Sequence, residues 1–137
     1  MHEKSFKRTG GKMRNATHWP SELRLKENGR LLHIKFDDGG EYALAAEYLR
    51  VMSPSAEVQG HREEDRVTVG GKRNCVIIGV EPVGAYAVRL SFDDLHTTGI
   101  FTWDYLYDLG AGFDQKWAKY EAELKSKGLD RDKPGQA

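Results

Sequence analysis

The feature that most constrains this chain is a succession of short segments with period-two alternation, separated by tight-turn signals, between Glu22 and Ser91. Leu23 and Leu25 alternate with Glu22, Arg24 and Lys26, and Leu32, Ile34 and Phe36 alternate with His33 and Lys35. Successive side chains of a strand point to opposite faces, so this pattern gives half-buried strands. Asn28-Gly29 between the two runs, and Asp37-Asp38-Gly39-Gly40 after them, tolerate the positive φ of hairpin turns. With Glu41 to Leu44 as the third strand, a meander results. Val67 and Val69, Gly70-Gly71-Lys72, and Val76 to Val80 repeat the strand-turn-strand pattern. Glu81-Pro82-Val83-Gly84 then turns the chain into a strand that carries Tyr86, Val88 and Leu90.

Helical spacing interrupts this pattern in three places. Ala45 to Val51 suits a short helix, stopped by Ser53-Pro54-Ser55 because Pro disfavours helix in the residue before it. Phe101 to Leu109 places Trp103, Leu106 and Tyr107 at helical spacing, and Gly110-Ala111-Gly112 ends that run in the manner of a glycine cap. Asp114 then caps a helix whose apolar stripe is Phe113, Trp117, Tyr120 and Leu124, a stripe read as core packing. The expected fold class is α+β: one small domain over residues 18–126, an antiparallel hairpin-rich sheet with one short inserted helix and two C-terminal helices. Residues 1–17 are expected to be a flexible basic tail, since Phe6 and two Met are their only bulky apolar groups. Residues 127–137 are expected to be a disordered tail.

Composition narrows the function classes. Lys plus Arg and Asp plus Glu each number 21 in 137 residues, and a formal charge of zero argues against a dedicated nucleic-acid binder. Cys75 is the only cysteine, which excludes an internal disulfide and every Cys-rich zinc motif and fits a reducing compartment. The basic start is followed by no apolar run of the secretory kind, and no window approaches the roughly 18 apolar residues of a membrane span. A cytoplasmic protein without membrane contact is expected.

Chemical variety concentrates in SFDDLHTTGIFTWDYLYDL, residues 91–109. Asp93, Asp94 and His96 can converge in one turn as a metal or acid-base cluster. The chain offers them no nucleophile elbow, no phosphate-cradling glycine motif and no paired cysteine, and turn carboxylates commonly cap helices or face water. A structural role is therefore preferred. His61-Arg62-Glu63 has the His-x-acid spacing of a non-haem iron site but sits among Glu64, Asp65 and Arg66, and is read as a solvated loop. Cys75 is read as a buried small hydrophobe, although Arg73 nearby in sequence is the kind of cation that lowers a thiol pKa. Trp103 and Tyr105 are candidate interface anchors, at least one of which must face the core.

Three segments carry a family resemblance: AEYLRVMSPSAEVQGH, VIIGVEPVGAYAVRLSFDD and HTTGIFTWDYLYDLG. Over roughly Trp19 to Leu109 the chain resembles the gamma-butyrobetaine hydroxylase-like N-terminal domain family, whose members occur alone in bacteria and fused to other proteins. In the hydroxylase this domain holds a structural zinc through three Cys and a later His. Ser53, Ser55 and Val58 stand here where that pattern has thiolates, and His96 matches the fourth ligand. Neutral hydroxyls and a valine cannot replace three thiolates, so the resemblance implies no zinc in this chain. It leaves His96 as a hydrogen-bonding residue that ties the strand end to the loop of Ser53 and Ser55. The oxygenase half lies beyond this domain in the hydroxylase, so hydroxylase activity does not carry over. Related domains are attached to Mrp-type ATPases of iron-sulfur cluster assembly, which supplies a setting and no mechanism.

The function expected from these readings is a non-catalytic protein-binding module that requires no cofactor. It docks a partner, of the iron-sulfur assembly or redox kind, through a surface of His96, Thr97 and Trp103 beside Asp93 and Asp94. The alternative is a metal-dependent enzyme or metal sensor built on Asp93, Asp94 and His96, with His61 reaching over from its loop.

Overall fold

In a computed structural model, the structure describes Ser5 and Phe6 by their backbone, and residues 18–54, 68–94 and 99–132 in full. Strands β1 (Ser5–Phe6), β2 (Pro20–Lys26), β3 (Leu31–Phe36) and β4 (Glu41–Ala45) form an antiparallel sheet in that spatial order. The register is the one the alternation requires: Leu23 opposes Ile34, and Leu25 and Leu44 pair with Leu32, so the leucines and isoleucine share the buried face. The β2–β3 connection is a single 3-10 turn, Glu27–Gly29, with Asn28 at φ 56° and Gly29 at φ 92°. Within the region expected to be a flexible tail, Ser5 and Phe6 pair with Arg24 and Leu23 as an added edge strand.

Helix α1 (Ala46–Val51) follows β4 without a loop and is buried at all six positions, Glu47 and Arg50 included. A second antiparallel sheet has the order β5 (Ile77–Val83), β6 (Ala87–Phe92), β7 (Gly99–Thr102). The sequence pattern predicts the hairpins but not their division into two sheets, because alternation states which face is buried and not which strands share a ladder. Val69 is buried outside any strand, where a strand was expected, and β5 continues through Pro82, where a turn was expected. Pro82 is tolerated because β5 is an edge of its sheet.

Helices α2 (Trp103–Ala111) and α3 (Phe113–Ser126) complete the fold. The first begins two residues later than the apolar spacing suggests. Phe101 belongs to β7, and the Thr102 hydroxyl caps the helix by accepting from the Tyr105 N–H at 3.1 Å. Gly110 is helical and not a cap. A Cβ there would lie 2.4 Å from Cγ of Tyr42, so glycine is needed to let that ring cross the helix. Asp114 lies in the first turn of α3, whose N-cap is Gly112, and it makes no side-chain cap bond.

Leu32, Ile34, Leu49, Leu90, Phe92, Phe101 and Leu106 are almost fully buried in one core to which both sheets and all three helices contribute. The tyrosines of that core pair their hydroxyls with backbone carbonyls, Tyr48 with Leu109 at 2.7 Å and Tyr120 with Val69 at 2.6 Å. Among the described residues no helix is long and apolar enough to cross a membrane.

Candidate functional site

Strand β6 ends at Phe92, and the two carboxylates that follow point to different partners. The Asp93 N–H donates to the Val76 carbonyl at 3.0 Å, while Oδ1 of Asp93 accepts from the Val76 N–H at 3.2 Å. Asp93 thus fixes the strand end to the start of β5. Oδ2 of Asp94 accepts from Nε of Arg50 at 2.9 Å and from Nζ of Lys72 at 2.6 Å. Arg50 is only 5% exposed, so this ion pair joins α1 to the β6 end through a largely desolvated guanidinium.

The other side of the β6–β7 connection meets the same end of α1. Ser53, fully buried one residue after Met52, has its hydroxyl so near β7 that a Cβ on Gly99 would lie 2.8 Å from Ser53 Oγ. Asp94 on Arg50 and Gly99 on Ser53 therefore bring the two flanks of residues 95–98 against the α1 terminus. His96, Thr97, Ser55, Val58 and His61 lie outside the described residues.

Trp103 requires a correction. It was expected at an exposed binding edge, but it is 8% exposed, and its indole N–H donates to the Ala85 carbonyl at 2.8 Å. Trp103 shares the buried side of α2 with Leu106 and Leu109. Tyr105 uses its hydroxyl internally, donating to the Met52 carbonyl.

Cys75 is buried beside this cluster, as expected of a small hydrophobe. Burial first, then the charges of Asp94 and Asp93, push its thiol up to about 12. Arg73 does not counter this, since its guanidinium pairs with Asp132. At pH 8 the native thiol is expected to react with a maleimide about a hundredfold slower than in the urea-unfolded chain. Equal rates would show an accessible thiolate. Because the folded value is raised, this group favours the fold below the ordinary thiol value of 9.0, and that contribution fades as pH rises toward about 12.

Lys72, Arg73, Cys75, Asp94, Arg131 and Asp132 line an open depression of about 310 Å³. Its charges neutralise one another, Lys72 with Asp94 and Arg73 with Asp132. Among the described residues no three His, Cys, Asp or Glu side chains converge as metal ligands. Of the four positions that the resemblance sets against zinc ligands, the structure describes Ser53 alone. Ser53 presents a neutral hydroxyl buried against Gly99, and Asp94 is already engaged by two cations.

Sequence reasoning misses two other clusters. The His18 ring stacks on Tyr107 at 3.7 Å with Nδ1 3.1 Å from Oδ1 of Asp104, and the Tyr107 hydroxyl donates to Oδ2 of Asp38 at 2.7 Å. That bond holds the Asp38 carboxyl below its ordinary value and raises Tyr107 to about 12. The cluster ties the β3–β4 turn to α2 and follows from no local pattern. The second is the segment after α3, expected to be disordered. The structure describes it through Asp132, and Arg131 reaches Glu47 on α1. Gly128 followed by Leu129 after an amphipathic helix is the signal that could have indicated it, as a glycine helix stop with an apolar residue behind it.

The second sheet also leaves apolar residues uncovered. A bulge between Ile77 and Gly79 sets Ile78 outward, so that it is 60% exposed, and Ile100, opposite Arg89 on the same outer face, is 37% exposed.

The family described as gamma-butyrobetaine hydroxylase-like, N-terminal, matches residues 23–107. One solution structure determined by NMR is 49% identical, covers 85% of this chain and 92% of its own, and superposes with a TM-score of 0.73. Another is 43% identical over 89% of this chain and 91% of its own, also with a TM-score of 0.73. The crystal structure of a protein of unknown function from Acidithiobacillus ferrooxidans, of the DUF971 family, is 40% identical over 66% of this chain and 90% of its own, with a TM-score of 0.54. No functionally curated protein matches.

Proposed function

Because the chain belongs to the gamma-butyrobetaine hydroxylase-like N-terminal domain family, we propose that it serves as a non-catalytic module that docks another protein. The docking face is the outer side of the β5–β6–β7 sheet together with its Asp93-to-Thr98 end. The observation that carries this reading is the outward placement of Ile78 and Ile100 around Arg89 and Ser91. Two exposed isoleucines among polar side chains give this face the mixed composition that interfaces also have. Asp93 and Asp94 follow β6 at the end of that sheet, and His96 and Thr97 belong to the connection after them, while Trp103 drops out because it is buried. The partner class is an iron-sulfur assembly or redox protein of the cytoplasm, which rests on the setting of related domains.

The metal-enzyme reading on Asp93, Asp94 and His96 has less support. Both carboxylates already have partners, Asp93 the Val76 N–H and Asp94 Arg50 and Lys72, and among the described residues no group of three His, Cys, Asp or Glu includes them. Capture from native lysate on immobilised wild-type chain, compared with the His96→Ala, Thr97→Ala double variant, tests the docking surface. A partner retained by the wild type is expected to fall at least fivefold on the variant. Equal recovery of the same partner on a folded variant would refute the surface.

A further inference from the structure

Helix α3 ends in a reversal. Gly128, at φ 67°, follows the last turn, and the Leu129 N–H donates back to the Leu124 carbonyl at 2.9 Å. This turns residues 129–132 across the molecule as a strap that bends at Arg131, where the Asp132 N–H donates to Oδ1 of Asp130 at 2.8 Å. The N–H of Gly71 donates to the Asp130 carbonyl at 2.9 Å, and that of Arg73 to the Arg131 carbonyl at 3.0 Å. Nε and Nη2 of Arg131 donate to the two carboxylate oxygens of Glu47, each at 2.7 Å. The guanidinium carbon lies 5.1 Å from the centre of the Trp117 ring.

What the strap rests on is more firmly built than the strap. Glu47 is 6% exposed on a helix whose every residue is buried. Trp117 is wedged between Phe113, stacked at 6.0 Å, and Tyr48, edge-on at 6.0 Å. A buried carboxylate is costly unless a cation pairs with it, and Glu47 with Trp117 presents a carboxylate and an aromatic face to the same guanidinium. The strap itself is exposed apart from half-buried Leu129 and Arg131. A Cβ at Gly128 would meet nothing within 4 Å, so the reversal is not packed in.

We propose that Glu47, Trp117 and the N–H groups of Gly71 and Arg73 form a receptor for a short, bent, arginine-bearing peptide. Asp130 and Arg131 fill it in the free chain, and a segment of the same chemistry from a protein partner takes their place. The two main-chain bonds take the carbonyls of consecutive residues in the bend and so hold its backbone independently of the side chains. Specificity comes from the bidentate carboxylate and the ring, which suit the planar guanidinium fork and not an ammonium. Phe113, 39% exposed beside Trp117, offers an apolar contact for the incoming segment. This receptor is separate from the sheet face above and does not depend on it.

The test uses the full chain carrying Arg131→Ala and a synthetic peptide with the sequence of residues 127–132, Lys-Gly-Leu-Asp-Arg-Asp. Saturable shifts of the Gly71 and Arg73 amide resonances are expected. A peptide with lysine in place of its arginine should bind at least about tenfold more weakly, and the added Glu47→Gln change should abolish binding. No saturable shift, or equal affinity of the two peptides, overturns the proposal. Hydrogen exchange on the wild type gives a reading that needs no variant. The Gly71 and Arg73 amides should open locally, well before those of β6. Exchange of both only through global unfolding would show that the strap does not release, and would also overturn the proposal.

Discussion

Gly29→Ala is expected to lower the unfolding free energy by about 3 kcal/mol, combining overpacking with an unfavourable backbone conformation. Gly29 has φ 92°, where a side chain is strained, and a Cβ would sit 2.4 Å from the carbonyl oxygen of Ile77. The obstacle is backbone at the first residue of β5, not a flexible side-chain end. The β2–β3 turn of the first sheet is thus packed directly on the second sheet, and relief requires moving one against the other. Urea unfolding checks this, with the midpoint falling at an unchanged m value. Gly39→Ala is the control: Gly39 also has positive φ, 94°, but its Cβ would meet nothing within 4 Å. It should cost only about 1 kcal/mol of backbone strain. Equal losses at the two positions would show that the contact with Ile77 contributes nothing.

Asp94→Ala is the second large effect, with an expected loss of about 3 kcal/mol, the scale for removing one partner of a buried ion pair. The substitution takes away the carboxylate that accepts from Arg50, a side chain 5% exposed. Lys72→Met removes the other cation on the same oxygen, but the Lys72 ammonium reaches solvent and should contribute no more than about 1 kcal/mol. The contrast places the stabilisation in the α1 contact and not in net charge. If Asp94→Ala cost no more than Lys72→Met, Arg50 would not depend on Asp94.

The residues that were legible in the sequence are those whose signal is local. Leu23, Leu25, Leu32 and Ile34 announce their strands and buried face by alternation alone, and the Asn28-Gly29 pair announces the turn between them. Phe113, Trp117, Tyr120 and Leu124 announce α3 by spacing. Positions that depend on distant chain were read less well. Gly110 has the look of a helix stop, yet it is glycine because Tyr42 from β4 crosses it. Phe101 fits a helical stripe, yet it is claimed by pairing with Val88 in β6.

The same division holds at the candidate site. Asp93 and Asp94 could be singled out as a turn pair, but nothing near them in sequence names Val76, Arg50 or Lys72 as their partners. Trp103 could be placed on α2 but not turned inward, because the carbonyl that receives its indole N–H belongs to Ala85, in the turn before β6. Glu47 and Arg131 lie 84 residues apart, and only the tertiary fold brings a buried carboxylate within reach of that arginine.

The central claim is that the outer face of the second sheet and its β6–β7 end dock a protein. Titrating isotopically labelled chain with a purified partner, and following its amide resonances, tests this most directly. Shifts are predicted at Ile78, Gly79, Arg89, Ser91 and Ile100 and along 93–98, and they should be lost in an Ile78→Ser, Ile100→Ser chain that keeps its fold. Saturable binding that leaves these amides unmoved and shifts the opposite sheet instead would contradict the account.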